Sequence, residues 1–334
     1  MKEVTTAPLP LLPNTVLSTQ LPLAHFDLSG MVSVGPSVGP VPATRELSTQ
    51  SESAATSEST ATGEFTATSD STVERIERRL NEVDELFAKL DAGEFDLEPA
   101  DFAWPAGLRL SVVIPVYNER ATILEVVARV LALPVPKEVI VVDDCSTDGT
   151  RGWLETMRGT PHLRLILKPQ NEGKGAALRT GFDAAEGDIV IVQDADLEYQ
   201  PRDILDVVKP IAMGETDVVF GSRYLDDKHR DASIVHRLGN RILTACSNWM
   251  NGTRLTDMET CYKAFRRSVL RSIDLKQNRF GFEPEVTAKL ARRGYDICEV
   301  PIHYQPRSYA DGKKIGIRDL LNTLWCILRY GWSD

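Results

Sequence analysis

The chain has 334 residues, a formal net charge of −10 and 42% hydrophobic residues. Length alone allows two domains, and the acidic balance argues against nucleic acid as the main partner, because phosphate-backbone binding needs a basic face. Five cysteines (Cys145, Cys246, Cys261, Cys298 and Cys326) are odd in number and widely spaced, so they form neither a disulfide framework nor a zinc pattern and fit a reducing compartment.

Residues 1–43 are Pro-rich and aperiodic, and residues 44–72 hold fifteen Ser or Thr in twenty-nine positions. So few large apolar side chains cannot offset the entropy of ordering, and 1–72 is expected to be a disordered low-complexity tail. It carries two basic and seven acidic residues, half of the net charge. Pro8 and Pro10 interrupt the first dozen residues, so no signal peptide is expected. No run approaches the eighteen uninterrupted apolar residues of a membrane-spanning helix. The expectation is a cytoplasmic protein that touches a membrane peripherally at most.

Residues 73–107 read as an amphipathic helix and linker. Val73, Ile76, Leu80, Val83, Leu86, Phe87 and Leu90 recur at helical spacing, with Asp70-Ser71-Thr72 as capping candidates. Packing on the domain, or on a second copy, is its expected role.

From residue 108 strands alternate with helices. Leu108 to Val116 is an apolar strand ending in Pro115-Val-Tyr-Asn-Glu119, and Ala121 to Leu133 is a helix. Glu138 to Val142 is a strand ending in Asp143-Asp144, and the polar turn Ser146 to Thr150 opens a helix over Arg151 to Arg158. Leu163 to Leu167 is a third strand, followed by the turn Asn171-Glu-Gly-Lys-Gly175 and a helix over Ala176 to Ala185. The run Ile189 to Val192 is a short strand buried on both faces, ending in Gln193-Asp194-Ala195-Asp196. This alternation predicts βαβ units and a mostly parallel sheet with helices on both faces, with ligands meeting the strands' carboxyl ends.

Asp194 and Asp196 stand two apart and share a face in extended geometry. Two hard oxygen ligands in that arrangement suit Mg²⁺ or Mn²⁺ held jointly with substrate phosphates. Asp144 suits hydrogen bonds to a base or ribose, Asp143 suits capping the next helix, and Tyr117 offers a flat face. Lys174 lies in a glycine turn able to approach phosphate closely, and the pattern there is neither a dinucleotide fingerprint nor a P-loop.

Further on, Asp217-Val-Val-Phe-Gly-Ser-Arg-Tyr224 is a strand and a turn presenting Arg223, followed by a charged loop over 226–231. His236 to Met250 is a helix with Leu238, Ile242, Ala245, Cys246 and Trp249 on one stripe. Phe280-Gly-Phe-Glu-Pro-Glu285 opens another, with Glu283 and Glu285 as acidic candidates, and Glu299 to His303 is a last strand. Residues 317–334 form an amphipathic C-terminal helix with Leu320, Leu321, Leu324, Trp325 and Leu328 at helical spacing. It is too short to span a bilayer but suited to lie on one. The five histidines form no ligand pattern.

The blocks Ser111 to Glu119, Val141 to Thr150, Asn171 to Gly175 and Gln193 to Asp196 come in the order and spacing of family 2 glycosyltransferases of the GT-A fold. The chain resembles most the dolichyl-phosphate mannose synthases and polyprenyl-phosphate glycosyltransferases, over about Leu110 to Ile317. The resemblance implies a GT-A domain over 108–316 that is an inverting glycosyltransferase. Its donor would be a GDP- or UDP-sugar and its acceptor a polyprenyl phosphate, or alternatively a soluble or cell-envelope saccharide. The donor site would comprise Pro115, Tyr117, Glu119, Val142, Asp144, Lys174, Asp194, Ala195 and Arg223, with the metal on Asp194 and Asp196. Thr256 to Phe265 resembles the acceptor-side block, with Asp257 in the acidic position. The loop Arg307 to Gly316 resembles one that clamps phosphates with an Arg and a Lys; Arg307 takes the first place and either Lys313 or Lys314 the second. A nucleotidylyltransferase would share the sheet-edge logic, but Pro115 to Glu119 lacks its glycine-rich loop. A non-catalytic scaffold is the other alternative, which the intact acidic and basic residues disfavour.

Overall fold

Unbroken β-branched runs set the centre of the molecule. In the computed structural model the described residues are 74, 77–78, 80–86, 88–89, 92–93, 101–225, 234–307 and 317–332. The chain divides into two units, Met1–Ser59 and Thr60–Asp334, and every described residue belongs to the second. The proposed tail, the charged loop over 226–231 and both Lys313 and Lys314 lie outside them, as do Val73, Ile76, Phe87 and Leu90 of the first amphipathic stripe. Residues 80–86 are helical, with Val83 buried.

Strand β1 (Leu110–Val116) is buried along its whole length, and so is β4 (Ile189–Val192). Between them in the chain come helix α1 (Ile123–Leu131), β2 (Lys137–Asp143), α2 (Thr150–Thr156), β3 (Leu163–Leu167) and α3 (Lys174–Ala184). After β4 follow α4 (Asp203–Ala212), β5 (Val218–Ser222), α5 (Ile234–Asn251), β6 (Lys263–Arg266), α6 (Arg267–Ser272), α7 (Phe282–Arg292), β7 (Cys298–Pro301) and α8 (Ile317–Trp332). The seven strands form one sheet in the order β3-β2-β1-β4-β6-β5-β7. β1 pairs in parallel with β2 and β4, placing Val116 beside Asp143 and Val113 beside Val192, so three strands end at one edge. The expected mostly parallel α/β sheet is present.

Three elements, β6, α4 and α6, were not anticipated. β6 runs antiparallel between β4 and β5. Its Lys263 is fully buried, donating to the carbonyls of Met258 (2.8 Å) and Thr260 (2.6 Å) and lying 4.3 Å from the centre of the Phe220 ring. Burial pushes this ammonium down to about 8, against the nearby carboxylates that raise it. Helix α4 carries Pro210 in its interior, which removes one rung of its hydrogen-bond ladder and blurs the sequence pattern.

Helix α3 lies very close to the sheet because it is built from small residues. A methyl group at Gly181 would come within 2.3 Å of Val113 Cγ1. That closeness fixes the N-terminus of α3, and with it Lys174, over the end of β4.

Candidate active site

The loops after β1 and β2 are stitched to each other. The Asn118 amide donates to Ser146 Oγ (2.9 Å), the Glu119 amide to Thr150 Oγ1 (3.0 Å), and the Thr147 amide to Asn118 Oδ1 (2.8 Å). Asn118 takes φ 54°, a left-handed conformation that Asn tolerates because its short polar side chain bonds locally. Asp143 accepts from Arg151 Nε (2.7 Å) and from the Ser146 amide, so it holds the turn after β2 and does not cap α2, whose N-cap is Gly149 with no side-chain cap bond. Asp144 is buried and accepts from the amides of Glu172 (3.0 Å) and Gly173 (2.6 Å) and from Lys168 Nζ (2.9 Å). Its carboxylate therefore holds the Asn171–Gly175 turn in place, rather than standing free for a base or ribose. Pro115 and Val142 are buried strand residues, while Tyr117 is 38% exposed at the rim.

At the end of β4 the charges meet. Lys174 Nζ lies 3.0 Å from Asp194 and 3.2 Å from Glu283. Burial opposes its charge, but these two carboxylates outweigh it and hold Lys174 well above its ordinary value. The Arg307 guanidinium donates to Glu119 Oε2 (2.8 Å), to Glu119 Oε1 (3.2 Å) and to Asp196 Oδ2. Arg307 is brought there by its own amide, which donates to Glu198 Oε1 (2.8 Å), and by the Gln305 amide, which donates to the Glu198 carbonyl (2.8 Å). Burial and the charges of Asp194 and Glu198 push Asp196 up to about 7, with Arg307 opposing them. Ala195 contributes its carbonyl to the Thr122 hydroxyl (2.8 Å), which pins this turn to the start of α1.

The acceptor side differs from expectation. Arg223 does not stand free for a phosphate: its Nε and Nη2 donate to the two oxygens of Asp257 (2.6 and 2.8 Å), and its ring-facing side lies 5.0 Å from the centre of Tyr304. Asn240 of α5 donates to Asp257 Oδ1 (2.9 Å). Asp257 is 0% exposed, and although burial works against its ionised form, Arg223 keeps its pKa below the usual range. A carboxylate so committed is a structural partner of Arg223 rather than a waiting base. Glu285 likewise is fully buried and accepts from the Lys276 and Gln277 amides (2.8 Å each) and from Lys289 (2.8 Å).

Three residues of the site escaped the sequence reading. Glu198 continues the alternation Asp194-x-Asp196-x-Glu198, a signal that was available. Asn240 lies on the buried face of a helix and gave none. Glu259 has one carboxylate oxygen that is fully buried without a hydrogen-bond partner among the described residues, and burial beside Glu283 pushes it up to about 8.

Asp194 and Asp196 fit a divalent cation. They are hard oxygen donors on alternate residues, and burial together with the charges of Asp194 and Glu198 disfavours ionised Asp196, which a cation would offset. Among the described residues no group of three or more His, Cys, Asp and Glu could enclose an ion unaided, so diphosphate and water would complete the shell. Beside Arg307 opens a cavity of about 580 Å³ lined by Asn118, Glu119, Arg120 and Asp148, with Glu82 and Leu86 of the helical segment on its wall. Its volume is in the range of small-molecule sites.

A seven-stranded α/β sheet with this acidic and basic carboxyl edge has a GT-A-like architecture. The glucosyl-3-phosphoglycerate synthase of Mycobacterium tuberculosis, solved with UDP, matches it with TM-score 0.54 at 24% identity, over 69% of this chain and 82% of that one. The mannosyl-3-phosphoglycerate synthase of Rubrobacter xylanophilus matches with TM-score 0.54 at 19% identity, over 67% of this chain and 72% of that one. Crystals of the mycobacterial enzyme include complexes with Mn²⁺ or Mg²⁺ and UDP. Residues 111–274 match the family model described as glycosyl transferase family 2. The undecaprenyl-phosphate mannosyltransferase of Micrococcus luteus is 30% identical over 217 residues, 63% of this chain and 88% of that protein. The chain belongs to glycosyl transferase family 2. It is 29% identical over 240 residues to glycosyltransferase AglD of Haloferax volcanii, matching 69% of this chain but 38% of that protein. It is also 29% identical, over 66% of each chain, to the undecaprenyl-phosphate 4-deoxy-4-formamido-L-arabinose transferase of Yersinia enterocolitica.

Proposed function

We propose that this chain is an inverting glycosyltransferase that moves a sugar from a UDP- or GDP-sugar to a polyprenyl phosphate. The observation that carries the reading is the double pairing at the end of β4, Asp194 with Lys174 and Asp196 with Arg307. It is a crevice whose cations rest on its own carboxylates until an anionic substrate draws them away. The names of the Micrococcus and Yersinia relatives support the lipid-phosphate acceptor.

In this reaction an acceptor phosphate oxygen forms a bond to the anomeric carbon while the bond to the donor diphosphate breaks, and the electron pair leaves with the nucleotide. Arg307 would turn its donors from Glu119 and Asp196 to the diphosphate, and Lys174 would add charge from the N-terminus of α3. A Mg²⁺ or Mn²⁺ ion on Asp194 and Asp196 would supply further positive charge against the leaving group. Tyr117, exposed at the rim, would lie against the base, and Lys313 or Lys314 would complete the phosphate clamp that Arg307 begins. A phosphate acceptor is already an anionic nucleophile and needs no general base. The commitment of Asp257 to Arg223 agrees with that, whereas a sugar hydroxyl would need a carboxylate free to take its proton.

The test is transfer by the full chain from radiolabelled UDP- and GDP-sugars to a polyprenyl phosphate, with Mn²⁺ or Mg²⁺ present. Label in an organic-extractable phospholipid is the expected result. Transfer to a soluble saccharide with none to the lipid phosphate would overturn the acceptor assignment. A lipid-borne acceptor requires the crevice to meet a membrane surface.

A further inference from the structure

Helices α5 and α8 pack against each other and turn bare apolar faces outward. A methyl group at Gly331 of α8 would come within 2.9 Å of Met250 of α5, so the helices touch closely at their C-terminal ends. On α5 the buried side is Asn240, Leu243, Thr244 and Ser247, while Leu238, Ile242, Ala245 and Trp249 form an exposed stripe. On α8 the buried side is Thr323, Cys326, Ile327 and Tyr330, while Leu321, Trp325, Leu328 and Trp332 are exposed. Trp249 is 83% exposed, Trp325 55% and Trp332 88%. Single exposed apolar residues are ordinary, but two adjoining helices that each bare such a stripe mark a contact surface.

Charge separates a bilayer from a protein partner. The chain carries a net −10, yet α5 contains no acidic residue and exposes Arg237 and Arg241 beside the stripe, and α8 exposes Arg329 near its end. Bulky aliphatics with tryptophans and arginines at their margins suit the interface of an anionic bilayer, where indole rings sit at headgroup depth and guanidinium groups meet lipid phosphates. Among the described residues no helix is long and apolar enough to cross a membrane, so contact through these helices would lie in the interface plane.

Both helices are also fastened to the walls of the crevice. Asn240 of α5 binds Asp257, the partner of Arg223. On α8, Thr323 donates to the Phe280 carbonyl (3.4 Å), and Tyr330 accepts from Gln277 (2.8 Å) in the loop that abuts Gly175 and the Lys174 end of α3.

We propose that the outward faces of α5 and α8 are one docking surface for an anionic lipid bilayer, holding the crevice at headgroup level. The proposal rests on the lipid-phosphate reading for its purpose, but its test does not depend on turnover. The full chain is sedimented with vesicles of phosphatidylcholine and phosphatidylglycerol, and UDP affinity in Mn²⁺ is measured in parallel. The expected result is depletion from the supernatant by anionic vesicles, weakened by salt. The variant combining Ile242→Glu and Trp325→Glu should lose at least tenfold in vesicle partition, with UDP affinity and melting temperature unchanged. Arg237→Gln with Arg241→Gln should remove most of the salt-sensitive part. A wild-type chain that stays in the supernatant would overturn the proposal. So would a stable dimer in solution that the Ile242→Glu and Trp325→Glu variant breaks, because that would make a second copy the occupant. Transfer to a short, water-soluble polyprenyl phosphate separates the two readings. If it proceeds without vesicle binding the docking surface fails alone, and if vesicles bind without any transfer the acceptor assignment fails alone.

Discussion

Arg307 occupies ground that a metal ion would share. Its guanidinium sits against Asp196 and Glu119, with Glu198 3.9 Å from its Nε, and a divalent cation arriving alone would meet that positive charge. A donor diphosphate resolves the conflict by drawing Arg307 to itself. Mn²⁺ is therefore expected to bind weakly by calorimetry without nucleotide and markedly more tightly with UDP. Arg307→Gln should tighten Mn²⁺ binding in the absence of nucleotide by roughly tenfold, the size of one charge-assisted hydrogen bond in a partly wet site, while slowing turnover. Equal Mn²⁺ affinities for the two proteins would refute the competition. Asp196→Asn should lower turnover by about 10²–10³-fold with no loss of melting temperature, because the folded site already disfavours the ionised carboxylate. At Asp257 stability is the discriminating readout. Asp257→Asn strands a largely buried Arg223 and is expected to cost about 3–5 kcal/mol in denaturant unfolding. A variant with wild-type stability and lost turnover would restore the role of a base. The acidic pair at 194 and 196 was legible because it follows directly on a buried β-branched run, although both residues lie in the turn beyond β4 and not in the extended geometry expected. The Arg223–Asp257 pair was not, because its partners stand 34 residues apart and are joined by tertiary contacts such as the Ser222–Thr256 hydroxyl pair and the Asn240 bond to Asp257.

At the scale of elements, the position of Lys174 depends on how closely α3 can approach the loop before α7. Gly173 takes φ 100°, and a methyl group at Gly175 would come 2.2 Å from the Gln277 carbonyl oxygen. That loop is itself tied down by buried Glu285, which holds the amides of Lys276 and Gln277. Gly175→Ala cannot be absorbed by a flexible side chain, since the obstacle is backbone. It is expected to cost about 1–3 kcal/mol and to weaken UDP binding by displacing Lys174, whereas unchanged melting temperature and affinity would show that the helix shifts freely. The same packing explains which elements could be read in advance. β1, β2, β3 and β4 are aliphatic runs whose burial on both faces is written in their composition, and their ends fell within about two residues of expectation. β6 was not legible, because its Lys-Ala-Phe-Arg run is a strand only through its neighbours β4 and β5 and through the carbonyls that receive Lys263.

For the whole molecule, the apolar core begins late in the chain. Among the described residues, Val83 is the one buried apolar side chain before Leu110, and the rest of the core runs from Leu110 to Tyr330. The composition of residues 1–72, with Ser and Thr in place of large aliphatics over its second part, offers little to that core. A protein lacking 1–72 keeps Val83 and every strand of the sheet. Its melting temperature is expected to stay within about 2 °C of the full chain, corresponding to less than about 1 kcal/mol for a domain of this size. Its UDP affinity in Mn²⁺ should be unchanged, because Glu82 and Leu86 at the cavity beside Arg307 are retained. A fall several times larger on differential scanning calorimetry would mean that the first 72 residues contribute to the stability of the protein and that their composition misleads.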